Sequence, residues 1–226
     1  MISAILLSGG VGKRFLSPLP KQYLPLCGKP LILHALEALL QFPAWEQVVV
    51  VCEEAYRTLF LPYQSRTNLC FATPGPQRQD SVFSGCQALS SSSHLLCIHD
   101  GARPLLQSED LFAVIQEGKK KGAAALAIPV KTTIKEVDAM LQVKRTLDRS
   151  LLWEMQTPQV IEKDLFLMGY QALQRNSASL SMTDDVGFAE LLGHLVQIVP
   201  GSESNIKITT PEDLAFAELW MKQFHG

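Results

Sequence analysis

The sequence predicts an α/β fold, a mostly parallel and doubly wound sheet with one β-hairpin arm standing out from it. Three observations predict it. Short apolar runs recur along the chain, and most are continuous rather than alternating, as in strands covered on both faces. Longer amphipathic stretches lie between them, and such alternation argues for parallel strands with helices on either side. One segment, 131–149, departs from this rhythm by alternating polar and apolar residues.

The expected strands, in order, are 2–7, 47–52, 69–72, 95–99, 124–129, 196–199 and 205–208. Ile32, Ala35, Leu36, Leu39 and Leu40 fall at helical spacing and form the apolar stripe of a first helix. Phe216, Leu219, Trp220 and Phe224 repeat that spacing near the end. Residues 8–29 lack periodicity and are rich in Gly, Pro and basic side chains; a loop of that length in a compact domain is functional or disordered. Lys119, Lys120, Lys121 and Gly122 are what a helix C-terminus and its cap prefer. Within 131–149, residues 133–137 and 142–147 read as two strands of a hairpin, an arm suited to a partner subunit. With no repeats and no second compositional block, 1–226 is read as one domain carrying that arm.

Of the 226 residues, 47% are hydrophobic and 19% charged, and 20 Lys and Arg stand against 22 Asp and Glu. That balance lacks the basic excess of a general nucleic-acid binder. Anions must therefore be met by local placement of cations, which points to a small ligand. Five cysteines, an odd number with no CxxC pair, frame neither disulfides nor a zinc cage. Cys52, Cys70 and Cys97 sit in apolar runs, where a thiol behaves as a small hydrophobe. The apolar opening 2–7 is too short for a signal peptide or a bilayer span. These features predict a reduced, cytoplasmic protein with no membrane or nucleic-acid partner.

Open α/β sheets bind ligands at the carboxyl ends of their strands, so the residues after each run carry the chemistry. After the first come Ser8, Gly9, Gly10, Val11, Gly12, Lys13 and Arg14. Glycines let backbone N–H groups approach a phosphate, and Lys13 and Arg14 can neutralise it. This is not a Walker loop, which needs Gly where Leu7 stands and Ser or Thr where Arg14 stands. Phe15 at the third glycine position rules out the dinucleotide fingerprint. Prolines 18 and 20 stiffen the chain before Lys21, lowering the entropy cost of fixing that cation. After the third run, Gly75 and Arg78 precede a helix whose N-terminus favours anions, with Asp80 or Ser81 as cap. After the fourth, Asp100 followed by Gly101 is placed to hold Mg²⁺ against phosphate oxygens, whereas His99 reads as a packing residue. Near the last run, Lys207 in an apolar strand needs an anionic partner, and Thr210, Pro211 and Asp213 read as a helix start.

In this order the motifs resemble the 2-C-methyl-D-erythritol 4-phosphate cytidylyltransferase family of the non-mevalonate isoprenoid pathway. The matching pieces are Gly-Gly-Val-Gly-Lys-Arg, Pro20-Lys21-Gln22-Tyr23, Gly75-x-x-Arg78-x-x-Ser81-Val82 and His99-Asp100-Gly-Ala-Arg103-Pro104. Further on come Asp148-Arg149, Trp153-x-x-Gln156-Thr157-Pro158-Gln159, Thr183-Asp184 and Asn205-Ile-Lys207-Ile-Thr209. The resemblance implies a Rossmann-like nucleotidyltransferase sheet and transfer of CMP from CTP to the sugar-alcohol phosphate, with release of pyrophosphate. It implies CTP binding by Ser8, Gly9, Gly10, Gly12, Lys13, Gly75, Arg78, Ser81, Asp100 and Gly101, with Mg²⁺ on Asp100. It implies transition-state roles for Arg14, Lys21 and Lys207, and substrate contacts by Arg103, Thr133, Arg149, Thr157, Thr183, Lys207 and Thr209. Arg149, counted with the catalytic set, and Thr133 would reach across a homodimer from the arm. Small residues at Ser8, Gly9 and Gly101 stand where alanine is frequent, and Pro76 where a polar residue is common. Two other readings stay open. A sister cytidylyltransferase acting on ribitol 5-phosphate would keep the nucleotide loops and change the pocket around Thr133, Arg149 and Thr183. A non-catalytic nucleotide-binding module would dispense with charged groups such as Arg14, Lys21, Asp100 and Lys207, all of which are present.

Overall fold

The computed structural model describes residues 1–10, 19–175 and 182–224, the last without its side chain. The central sheet is built from β1 (Ile2–Leu7), β4 (Val48–Val51), β5 (Leu69–Ala72), β6 (Leu95–Asp100), β7 (Ala123–Pro129), β10 (Trp153–Glu162) and β11 (Gln197–Pro200). Its order is β11-β7-β10-β6-β1-β4-β5. β5, β4, β1 and β6 pair in parallel, as do β7 and β11, while β10 runs antiparallel between β6 and β7.

Helices cover both faces because alternate residues of each central strand feed opposite cores. Ala4 and Leu6 of β1, Val48 and Val50 of β4, and Leu95 and Cys97 of β6 face one cluster with α1 (Leu31–Leu39) and α3 (Ser108–Lys121). Ile5, Val49, Val51, Leu96 and Ile98 face the other, with α2 (Arg78–Gln87), α4 (Lys163–Arg175) and α5 (Gly187–Leu191). This double coverage is what continuous apolar runs require. On α1, Ile32, Ala35, Leu36 and Leu39 of the expected stripe are buried, and Leu40 caps the end. α3 closes as its composition predicts: three lysines in the last turn, then Gly122 in the left-handed region at φ 79°. Among the described helices none is long and apolar enough to cross a membrane.

Three expectations need correction. Residues 205–208 form no strand; β11 takes the sheet edge, and the segment is fixed instead by Ile208 N donating to Ala102 O and by the Asn205 side chain. β10 was not expected at all. Its Gln156, Thr157 and Gln159 are polar yet buried, and Pro158 sits where the ladder slips register between Met155 and Gln159. A proline in a strand is tolerated at such an irregularity, so sequence patterning reads against a strand that the ladder accommodates. Finally, α6 (Pro211–Phe224) turns Leu214, Ala217, Trp220 and Met221 inward onto Leu26, Leu31 and Ile208. Phe216 and Leu219, placed on the apolar stripe from spacing, are exposed by 44% and 65%.

The segment 131–149 does form a hairpin, β8 (Lys135–Val137) against β9 (Val143–Thr146), and among the described residues it pairs with no other strand. Between β1 and α1 lie a 3₁₀ turn at Lys21–Tyr23 and a short antiparallel pair, β2 (Pro25–Leu26) and β3 (Lys29–Pro30).

Candidate active site

A cleft of about 570 Å³ opens at the carboxyl ends of β1 and β6. It draws on four separate segments: Ser8, Gly9 and Gly10 after β1; Lys21 and Gln22 of the 3₁₀ turn; Gly75 to Arg78 and Ser81 at the head of α2; and Asp100 and Gly101 after β6. Lys207 and Thr209 close the remaining side. Two glycines make this convergence possible. A Cβ on Gly9 would lie 2.5 Å from Pro74 Cβ, so the loops after β1 and β5 come this close only because position 9 has none. A Cβ on Gly101 would meet Ile32 Cδ1 at 2.6 Å and Leu7 O at 2.8 Å, so this position is packed for glycine.

The head of α2 is organised by its own side chains. Gln77 is the N-cap, and Asp80 returns to the Gln77 N–H in a capping box. Ser81 Oγ accepts from Gly75 N at 3.0 Å, which folds the glycine back over the helix start. The opposite wall has a similar start: Asp213 accepts from the N–H groups of Thr209 and Thr210 and from Thr209 Oγ1, ahead of Pro211.

At the centre lies a cluster of four charges. Asp100 Oδ2 is 2.6 Å from Lys207 Nζ, the anionic partner that Lys207 required. Asp100 Oδ1 accepts from Arg78 Nη2 at 3.0 Å and Nε at 3.2 Å. The far edge of the same guanidinium makes a bidentate pair with Asp185, at 2.6 and 2.7 Å. Burial alone would raise the Asp100 carboxyl, but the Arg78 and Lys207 charges outweigh it and hold the group far below the usual carboxylate range. Asp185 is pushed up by its complete burial, with Arg78 pulling against that shift. Lys21 Nζ reaches across from the other side and donates to Ile208 O at 2.7 Å.

Behind the cleft, buried polar side chains act as braces. Thr157 Oγ1 accepts the Asp100 N–H at 3.0 Å and donates its own proton to His99 Nδ1, leaving His99 Nε2 to donate to Arg103 O. Both ring nitrogens are thus satisfied by the neutral imidazole, and burial lowers its pKa from 6.5 to about 4. The sign follows from linkage. Between those two values the unfolded chain binds the proton and the native chain does not, so stability is lost as pH falls below the unfolded value. Denaturant titrations should show about 2 kcal/mol of stability lost through His99 between about pH 7.5 and 5, and His99→Gln should flatten that slope.

Arg103 is buried and donates to Asn205 O at 2.6 Å and Met155 O at 3.2 Å, tying β10 to the segment that carries Lys207. Thr157 and Arg103 therefore stand behind the wall of the cleft rather than on it. Thr183 is exposed beside a turn pinned by Gln159, whose Oε1 accepts from Asp185 N and Val186 N. Thr133 and Arg149 are exposed at the base of the arm, Arg149 donating to Lys131 O, and neither lines the cleft. The expectations for Gly12, Lys13 and Arg14 fall outside the described residues. Asp185 and Gln22 were not anticipated; the only signals were their positions beside Thr183-Asp184 and Lys21 in two matching motifs.

A cleft of this kind, glycine-floored and ringed by cations at the carboxyl ends of a mostly parallel sheet, is suited to hold the phosphates of a nucleotide. Fold and site together place the chain among the nucleotidyltransferases. The model of the 2-C-methyl-D-erythritol 4-phosphate cytidylyltransferase family matches residues 2–223. The chloroplastic enzyme of that name from Oryza sativa subsp. japonica is 47% identical over 224 residues, covering 98% of this chain and 75% of the relative. That of Chlamydia trachomatis serovar D is 47% identical over 216 residues, 96% of this chain and 93% of its own. The crystal structure of 4-diphosphocytidyl-2C-methyl-D-erythritol synthase from Anaerococcus prevotii superposes with a TM-score of 0.85 at 27% identity, covering 98% of each chain. The chain belongs to the 2-C-methyl-D-erythritol 4-phosphate cytidylyltransferase family.

Proposed function

We propose that this cleft transfers CMP from CTP to 2-C-methyl-D-erythritol 4-phosphate, giving the CDP-alcohol and pyrophosphate for isoprenoid precursor synthesis in the cytoplasm. The observation that carries the reading is the convergence of the glycine loop, Lys21, Arg78, Asp100 and Lys207 on one cleft. The substrate phosphate attacks the α-phosphorus in line and pyrophosphate leaves. Because the nucleophile is already an anion, no general base is needed; the requirement is positive charge where negative charge develops. Lys21 and Lys207 supply it from opposite sides, with Arg14 of the glycine loop assigned to the same task. Gly9, Gly10 and Gly75 present backbone to the nucleotide, Ser81 holds the Gly75 turn, and Thr209 and Lys207 face the sugar phosphate. Arg103 and Thr157 act by holding the Lys207 segment and Asp100 in place.

Asp100 would hold Mg²⁺, whose charge would neutralise triphosphate oxygens. The donor chemistry fits: Asp100 brings a carboxylate to the cleft, and Mg²⁺ characteristically takes one or two carboxylates and completes its shell with water and phosphate. Pyrophosphate release with CTP, Mg²⁺ and either methylerythritol phosphate or ribitol phosphate tests the assignment. Release with ribitol phosphate alone would move the enzyme to the sister reaction, and silence with both would overturn catalysis.

The working unit is a homodimer joined through the arm. Met140, Leu141 and Val143 are exposed by 78%, 82% and 60%, and Leu151 beyond them by 78%, an apolar patch on a hairpin with no core of its own. Thr133 and Arg149 then reach a partner's cleft. Sedimentation should show a dimer, and Leu141→Asp with Val143→Asp should yield monomers with at least about tenfold lower turnover. A native monomer at assay concentrations would sink the dimer.

A further inference from the structure

The geometry points to Gln22 as a positioning residue for nucleotide binding, one that engages two carbonyls of the glycine loop and so fixes the orientation of its peptides. The inference rests on the reading that this cleft holds CTP. Gln22 is 4% exposed, and its Nε2 donates to Ser8 O at 2.6 Å and to Gly10 O at 2.8 Å. A primary amide carries two N–H bonds, one for each carbonyl.

A loop that receives a triphosphate must show it N–H groups and hide its carbonyls, which repel an anion. In a planar trans peptide the N–H points opposite to the carbonyl that precedes it. Holding the Ser8 carbonyl against Gln22 therefore directs the Gly9 N–H away from Gln22. Ser8, Gly9 and Gly10 all line the cleft, so the orientation of their peptides decides whether the floor attracts or repels phosphate.

The clamp stands on a fixed base. Tyr23, the next residue, is 5% exposed, accepts from Ser8 Oγ at 2.6 Å and stacks on Tyr56 with ring centroids 3.7 Å apart. Lys21, the residue before, extends to Ile208 O from the same turn. One short 3₁₀ turn thus aims Lys21 at the cleft and sets the glycine loop at a fixed distance from it, with Gln22 as the link.

Gln22→Met keeps length and shape and removes both donors. CTP affinity measured by calorimetry without the second substrate should weaken by about tenfold or more, and KM for CTP should rise in step while KM for the sugar-alcohol phosphate holds. A purely structural residue would lower Tm and leave CTP affinity unchanged, and that result overturns the inference. Gln22→Glu opposes a carboxylate to the two carbonyl oxygens; it should weaken CTP further, and native affinity in it would equally overturn the role should Gln22→Met fail to fold. Gly10→Trp separates the two readings, because Gly10 lines the cleft and an added Cβ there meets no heavy atom of the described residues within 4 Å, so an indole has room to occupy it. Undiminished CTP binding in Gly10→Trp sinks the cleft reading and this inference with it. Binding lost in Gly10→Trp but native in Gln22→Met sinks the inference alone.

Discussion

Turnover of Lys21→Ala is expected to fall by about a hundredfold or more while CTP binding stays near that of the native chain. Lys21 sits on a 3₁₀ turn whose entry residue is Pro20 and whose last residue, Tyr23, is buried, so its backbone is fixed before any ligand arrives. Its ammonium is carried to the cleft, where it donates to the Ile208 carbonyl. A cation preplaced in this way contributes most where charge changes during reaction, at the α-phosphate and its leaving oxygen. Steady-state kinetics with calorimetric CTP titration separates the cases. Turnover within a few-fold of native refutes the role, and equal losses in binding and turnover would make Lys21 a ground-state ligand instead. Lys21→Arg should rescue only partly, since a planar fork does not replace a point charge on a flexible stem.

Much of this arrangement was legible because period and position are written in the chain. Val48 to Val51, short, continuous and β-branched, reads as a strand covered on both faces, and Ser8 to Gly10 following Leu7 falls at a carboxyl end of the sheet. The arm was legible for the opposite reason: its alternation announces a ribbon with one dry face and no core. What escaped had its stabilisation elsewhere than in local pattern. β10 is held by ladders to β6 and β7 and by the buried amides of Gln156 and Gln159, so a segment reading as polar and proline-broken sits in the middle of the sheet. The 205–208 segment looked apolar enough for a strand, yet Arg103 and the Asn205 side chain, distant in sequence, decide its path. The site shows the same division. Lys207 was read correctly as needing an anion, but Asp100, 107 positions away, could not be named as that anion from spacing. The resemblance puts Arg103 against the substrate, and in the structure its Nη1 and Nη2 donate to two backbone carbonyls behind the wall.

Asp185→Ala is expected to destabilise the native state by about 3–5 kcal/mol, the largest stability effect of any single change considered. The carboxylate is fully buried, and it takes both ends of the Arg78 fork. Its position is fixed from the backbone, because Gln159 Oε1 accepts the Asp185 N–H at 2.7 Å. Removing it leaves the four-charge cluster with Arg78 and Lys207 against Asp100 alone. Breaking one side of a buried pair costs far more than the pair contributes, because the surviving charge keeps its desolvation cost and loses its compensation. Arg78 keeps Asp100 as a second partner and part of its side chain in water, which places the value at the lower end of that range. Asp185→Asn should cost less, since the amide oxygen still accepts one guanidinium N–H. The double variant Arg78→Met, Asp185→Leu should recover part of the loss, because it removes both charges and fills the space with apolar groups. Denaturant unfolding of these variants, and of the single changes Arg78→Met and Asp185→Leu, at neutral pH decides the matter. A loss below about 1 kcal/mol in Asp185→Ala would mean that solvent screens the Arg78 guanidinium, as at surface pairs. A double variant as damaged as the sum of its parts would mean that the two residues do not act as a pair.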